Sequence, residues 1–357
     1  MRIGLLSLLL LAALALHSQA TNPDISKLKS AAEAGDSSAQ VALGRAHQNG
    51  QGVEENDAIA VDWYRKAALA GSSEGQNDLG VMYMNGWGVE KNKEEAVHWY
   101  RLAAKQKNAH AMFNLGAAYY NGDGVGINDV SAAAWFVLAK ENGSEKAADA
   151  VQRAQTDLHA DTLDGAMLHI AEMYIKGEEI PSDRQEATKY LRTSAGHGDV
   201  PSQILLAQLL MTGDGTVADY TEARHWCEAA SKTSKSNAGF CLGEQYRRGL
   251  GGPRDAKKAL NLIRVAADAG NVEAMEVTGE MLESGEGGKI DREASLLYFL
   301  RAILGNRTDA LPKAAKVRSE MTDKEWKKAQ VEMKNLRIDP VKVDAALQKI
   351  QPVSSSR

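Results

Sequence analysis

Only two cysteines, Cys227 and Cys241, occur in 357 residues, too few for a disulfide-stapled scaffold or a four-cysteine zinc site. No His-Glu-x-x-His and no Cys-x-x-Cys pair is present, so metal chemistry lacks its usual ligand spacing. Basic residues do not predominate: 42 Lys and Arg, scattered along the chain, stand against 47 Asp and Glu, which excludes the cationic footprint of a nucleic-acid binder. After residue 20 no apolar run is long enough to span a bilayer.

The one long apolar run, Gly4 to Leu16, follows Arg2 and precedes Ser18-Gln19-Ala20, a small-x-small site before Thr21. Thirteen residues are too short for a membrane span, so residues 1–20 are expected to be a cleaved signal peptide. No cysteine follows the site, which argues against a lipid anchor, and the mature chain is expected to be exported without membrane insertion. A bacterial periplasm is the expected compartment; Asn142-Gly143-Ser144 and Asn306-Arg307-Thr308 fit glycosylation sequons and leave a eukaryotic secretory lumen open.

The 32 glycines are abundant and recur in register. Units begin at Gly35, Gly71, Lys107, Thr162, Gly198, Ser234 and Gly270, every step being 36 residues except the third, which is 55. One column reads Gly50, Gly86, Gly122, Gly177, Gly213, Gly249 and Gly285 without exception. Six residues on stand Asn56, Asn92, Asn128, Asp183, Asp219, Asp255 and Asp291. A bulky column runs Trp63, Trp99, Trp135, Tyr190, Trp226, Leu262, Tyr298, and a small one Gly44, Gly80, Gly116, Ala171, Ala207, Gly243, Gly279.

These columns describe a helix hairpin. Apolar and small residues at helical spacing before Gly50 make a first helix, and the glycine stops it in the left-handed conformation. A second glycine (Gly52, Gly88, Gly124) continues the turn, and Asn or Asp caps the second helix, stabilising it by about 1 kcal/mol. The small column is expected to let the two helices approach, with the tryptophan of the second helix filling the space beside it. A lone hairpin cannot bury both its faces, so the hairpins must stack.

The stretch "LGVMYMNGWGVEKNKEEAVHWYRLAA" resembles the Sel-one-like repeat, a relative of the tetratricopeptide repeat, over about Asp24 to Arg337. That resemblance implies an all-α, right-handed solenoid of seven 36-residue helix-turn-helix repeats whose concave surface binds other proteins. Glu179 at a second-glycine position, Leu262 at a tryptophan position and Thr278 at a leucine position depart from the pattern.

The organisation expected is a capping helix in 21–34, repeats one to three over 35–142, and a helical insertion over 143–161. Repeats four to seven span 162–305, capping helices 306–339, and a short helix with a disordered tail 340–357. The insertion is expected to split the array into two blocks, Asp24 to Ala160 and Asp161 to Asp339. Thr322 with Glu325 reads as a capping box.

Catalytic motifs are weak. Gly71 to Gly75 matches G-x-S-x-G but lies in an inter-repeat turn, whereas that nucleophile elbow needs a strand. Ser26-x-x-Lys29 lacks the companion motifs of penicillin-interacting enzymes. Among the histidines, His98 and His225 share a column with Asp62, Ala134 and Lys189, a tolerant surface position. Cys227 and Cys241 sit about seven residues either side of an inter-helix loop near Ser234, which places them opposite each other as a disulfide or as two buried thiols.

Two features read as partner contacts. The column Gln48, Met84, Tyr120, Ile175, Met211, Arg247, Glu283 is apolar in its centre, and Trp87 interrupts a polar loop column. An exported, non-catalytic scaffold for another protein or peptide, without cofactor, is the reading these support. A β-lactamase-like or peptidoglycan-acting envelope enzyme and a structural part of a secretion or polysaccharide-export complex are the alternatives.

Overall fold

The structure is a computed structural model and describes residues 24–157, 160–214 and 217–350; the expected signal peptide and the last seven residues lie outside this range. Among the described residues every regular element is an α-helix, nineteen in all, and the fold is an all-α solenoid of helix-turn-helix repeats. A capping helix α1 (Ile25–Glu33) precedes three hairpins: α2 (Ser37–Asn49) with α3 (Asp57–Leu69), α4 (Ser73–Asn85) with α5 (Lys93–Lys105), and α6 (Ala109–Asn121) with α7 (Asp129–Glu141). The insertion is α8 (Glu145–Asp157), and α9 (Ala160–Lys176) and α10 (Arg184–Gly196) are the two helices of repeat four. Repeats five to seven are α11 (Val200–Thr212) and α12 (Tyr220–Ser231), α13 (Asn237–Arg248) and α14 (Ala256–Asp268), and α15 (Val272–Ser284) and α16 (Arg292–Leu304). Three helices close the array: α17 (Ala310–Glu320), α18 (Asp323–Asn335) and α19 (Pro340–Leu347).

The loop chemistry follows the sequence. Gly50, Gly86, Gly122, Gly213, Gly249 and Gly285 all end first helices at positive φ, where a side chain would be strained. Asn92 accepts the Glu95 N–H at 2.9 Å, and Asn56, Asn128, Asp255 and Asp291 cap in the same way. The same residue also closes the loop behind it, because the Asn56 N–H donates to the His47 carbonyl at 2.8 Å and the Asn92 N–H to Tyr83 at 3.0 Å. One residue thus fixes both the bend and the start of the next helix.

Two expectations need correction. The side chain against the small column is the residue after the tryptophan: Tyr64 against Gly44, Tyr100 against Gly80, Phe136 against Gly116, Ile263 against Gly243 and Phe299 against Gly279. A helix turns about 100° per residue, so two adjacent aromatics cannot serve the same neighbour. Tyr64 faces its own hairpin, whereas Trp63 packs beside Ala32 of the capping helix and Trp99 beside the core of the preceding repeat. Tryptophan is therefore the inter-repeat residue.

The second glycine does more than continue a turn. A Cβ on Gly88 would lie 2.3 Å from the Asp57 carbonyl carbon, and one on Gly124 2.3 Å from the Lys93 oxygen. The loops that carry this glycine, at Gly88, Gly124, Gly251 and Gly287, are seated on the first residues of the preceding repeat's second helix, and only a residue without a side chain allows that approach.

The chain forms two compact units divided between Asp183 and Arg184, within repeat four and later than the expected 160/161 break. The extra helix explains the position. At an ordinary junction the start of a first helix meets the end of the preceding second helix, as Gly75 meets Ala67 and Ala68. With α8 interposed, α9 instead lies along α7 in the same direction, Gly165 against Val130 at the start of α7. Residues Ser131 to Ala139 of α7 are buried without interruption, Trp135 to 1% exposure, so α9 belongs to the first unit. The loop after α9 meets the end of α5, where Lys105 Nζ donates to the Glu178 carbonyl at 3.3 Å, and its second position is the half-buried Glu179.

In the second unit the array ends on a charged seam. Arg307 donates to Glu276 at 2.7 Å, and Lys313 pairs with both Glu276 and Glu280. Lys316 pairs with Glu283 at 2.6 Å. Beyond it, Thr322 and Glu325 form the expected capping box and bury Trp326, Ala329 and Met333. Burial alone would raise the Glu276 carboxyl, but Lys313 and Arg307 outweigh it and hold it below the ordinary glutamate range. A depressed folded-state value stabilises fully above the unfolded value of about 4.3 and is lost as pH falls through the folded one. The urea midpoint is accordingly expected to drop as pH falls below about 4.3, and Glu276→Gln, weaker at pH 7, should show a smaller drop. Equal slopes for both proteins would count against the seam.

Candidate functional site

Each first helix also presents a face outside the glycine, cap and Tyr64 columns, and that face differs from repeat to repeat. In the first unit it is polar and internally wired. Arg45 Nη2 lies 2.8 Å from the Asp78 carboxylate, Asn77 Nδ2 donates to Asp78 at 3.0 Å, and Asn114 Nδ2 donates to Asn77 at 3.0 Å. The chain of bonds crosses α2, α4 and α6. Burial holds the Asp78 carboxyl above the ordinary aspartate range although Arg45 and Asn77 pull it down. Burial, then Asp78, push the Tyr64 hydroxyl up, and it donates to Gln48 Oε1 at 2.7 Å. Satisfied networks of this kind stiffen a surface.

The sequence-predicted contact residues are not gathered into one site. In the first unit Trp87 is 46% exposed and Tyr120 55% exposed, while Met84 and Ile175 are half-buried. Met211 lies in the second unit, where it lines a slot of about 380 Å³ between α11 and α13 that reaches Asn271 and Glu273 at the start of α15. Ile204 and Phe240 supply apolar wall, Gln208 and Asn237 amides, and Arg248 a cation at the rim. Sequence reasoning missed these five; Gln208 and Ile204 stand three and seven residues before Met211 and Phe240 shares the column of Ile204, whereas Asn237 and Arg248 carried no such signal.

Cys227 of α12 and Cys241 of α13 stand with their Cα atoms 5.9 Å apart and their sulfurs within bonding distance, Cys241 on the slot wall. Gln245 Nε2 donates to the Cys227 sulfur at 3.2 Å and to the Met211 sulfur at 3.5 Å.

Ser73 opens α4, with Ser72 as its cap, so the G-x-S-x-G stretch sits between two helices and not at a strand-to-helix elbow. Ser26 and Lys29 lie on α1, where Lys29 faces Glu33 at 3.9 Å. His98 and His225 are exposed and meet Trp99 and Trp226 edge-on. Among the described residues no group of three or more His, Cys, Asp or Glu could hold a metal ion, and no helix is long and apolar enough to cross a membrane.

The sequence model of the Sel1 repeat matches at 37–72, 73–108, 109–144, 165–199, 200–232, 242–271 and 272–306, well over half the chain. An uncharacterized protein of Neisseria meningitidis serogroup B is 29% identical over 129 residues, 36% of this chain and 27% of that protein, so the match spans about a quarter of the curated relative. Among solved structures, a protective antigen present in uropathogenic Escherichia coli strains, displaying an SLR fold, is 26% identical. It covers 90% of this chain and 70% of its own at a TM-score of 0.48. A Sel1 repeat protein from Oxalobacter formigenes is 24% identical over 80% of this chain and 77% of its own, with a TM-score of 0.39.

Proposed function

This chain belongs to the Sel1 repeat family, and on that premise we propose that it is an exported, non-catalytic scaffold holding another protein or peptide on the faces of its first helices. The observation that carries the reading is a contrast between frame and face. Glycine stops, caps and the Tyr64 column recur from repeat to repeat and are consumed by folding. The positions outside that frame change instead, from Arg45 and Gln48 through Met84 and Tyr120 to Met211 and Arg248. A repeated frame presenting varied side chains is how a solenoid encodes recognition.

Export rests on the leader-like residues 1–20, and a bonded Cys227–Cys241 pair suits an oxidising compartment. The bacterial sources of the matched proteins fit a periplasm. Crosslinked capture from an envelope extract, comparing the wild-type chain with Met84→Glu/Met211→Glu, tests the scaffold reading. The wild type is expected to retain partners that the double variant loses; an unchanged partner set would remove these faces from consideration. The purified chain is expected to leave a chromogenic β-lactam and cell-wall fragments intact, and reproducible turnover would replace the scaffold with an enzyme.

A further inference from the structure

We infer that the slot between α11 and α13 takes an extended segment of a partner protein, about five residues long, bearing one bulky apolar side chain and an acidic residue three or four positions from it. The inference rests on the scaffold reading and specifies what one of its surfaces would select.

The dimensions come first. The slot is lined along most of α13, from Asn237 to Arg248, a path of about 17 Å at 1.5 Å per residue. A volume of about 380 Å³ for the centres of water-sized molecules, spread over that length, gives an open groove about 8 Å wide, narrower than the 10–12 Å of a helix with side chains. An extended chain rises about 3.3–3.6 Å per residue, so five residues fill the path.

Chemistry fixes the rest. Ile204, Met211 and Phe240 make an apolar wall that suits one large side chain. At the far end stands Arg248, exposed and, among the described residues, without an acidic partner. Its neighbour Arg247 shows the contrast, being taken by Glu244, Glu280 and Glu286. Two acids, Glu244 and Glu273, also line the slot and are already engaged, Glu244 by Arg247 and Glu273 by Arg307 at 3.7 Å. The vacant charge is therefore positive and calls for a carboxylate. Phe240 and Arg248 are eight residues apart on α13, about 12 Å, which sets the three-to-four-residue spacing in an extended ligand. The Gln208 amide and Asn237 Nδ2 lack side-chain partners among the described residues and are free to meet the segment's backbone.

The test uses the full mature chain and a random heptapeptide display library. Enriched peptides are expected to pair a bulky apolar residue with Asp or Glu at that spacing. Arg248→Glu, an exposed change that leaves the core intact, should weaken them tenfold or more, and versions with Lys for the acid should recover on that variant. Phe240→Ala should weaken both peptide sets alike. Peptides that bind wild type, Arg248→Glu and Phe240→Ala equally would overturn the assignment. So would a gain in peptide affinity on deleting residues 351–357, which would give the slot to the chain's own end. Envelope capture separates the two levels: partners retained by both wild type and Arg248→Glu sink the slot alone, whereas no partners with either sinks the scaffold.

Discussion

Gly88→Ala is expected to lower stability by about 3–5 kcal/mol, while Gly35→Ala costs about 1–2 kcal/mol. Both glycines have positive φ, +62° at Gly88 and +96° at Gly35, so both variants carry the strain of an L-residue in a left-handed conformation. Only Gly88 adds a collision. Its Cβ would stand 2.3–2.5 Å from the Asp57 carbonyl and the Ala58 nitrogen, whereas nothing lies within 4 Å of one on Gly35. Backbone at the start of a capped helix cannot step aside cheaply, so the loop of repeat two would lift from repeat one. Stability in such arrays sums unit and interface terms, and weakening one interface should also broaden the transition. Urea unfolding followed by circular dichroism reads both quantities. Equal losses in the two variants would mean that the loop is not seated on its neighbour.

The second large effect belongs to the cysteines. Cys227→Ser, Cys241→Ser, or reduction of the wild type should each remove about 3 kcal/mol, the contribution of closing a loop of about 15 residues. The Cα separation of 5.9 Å suits the bond, and 14 positions in sequence set the loop. The bond joins α12 to α13, the second helix of one repeat to the first helix of the next. Cys227 occupies the Tyr64 column, which elsewhere in the second unit holds Leu191, Ile263 and Phe299. A smaller residue there sacrifices buried surface, and a covalent link across the junction offsets it. Thiol counting on the unreduced, denatured chain should find none; two reactive thiols would end this account, and the single serine variants would then cost little.

Much of the frame was legible because repetition makes each position its own control. Gly50 and Asn56 recur seven times at a fixed distance, and one turn chemistry accounts for them. Trp63 misled because it is the most conspicuous residue in its helix, whereas the side chain that closes the hairpin is the plainer Tyr64 beside it. Which neighbour each one meets depends on a 100° rotation that a column of letters does not display. Arg224 and Gly252 show a different limit. Each departs from its column, Arg224 from a run of apolar residues and Gly252 from the loop valine. Folding brings the two together. The guanidinium donates to the Gln245 carbonyl at 3.2 Å, lies over the Tyr246 ring at 4.4 Å, and would sit 2.3 Å from a Cβ at position 252. The slot was half visible: Met211 belonged to a column already singled out, but Phe240 and Arg248 gained meaning only once α13 lay beside α11.

The charged seam at the end of the array bears on how such a chain can lengthen. Glu276, Glu280 and Glu283 are matched to Arg307, Lys313 and Lys316, residues of the terminal cap and not of any repeat. A duplicated hairpin spliced between α16 and α17 would set a row of glutamates against a copy of itself and strand three cations elsewhere. Growth by tandem duplication is less costly at small-residue contacts such as Gly75 with Ala67 upstream, and is penalised here. The last repeat and its lid are therefore matched to each other in charge.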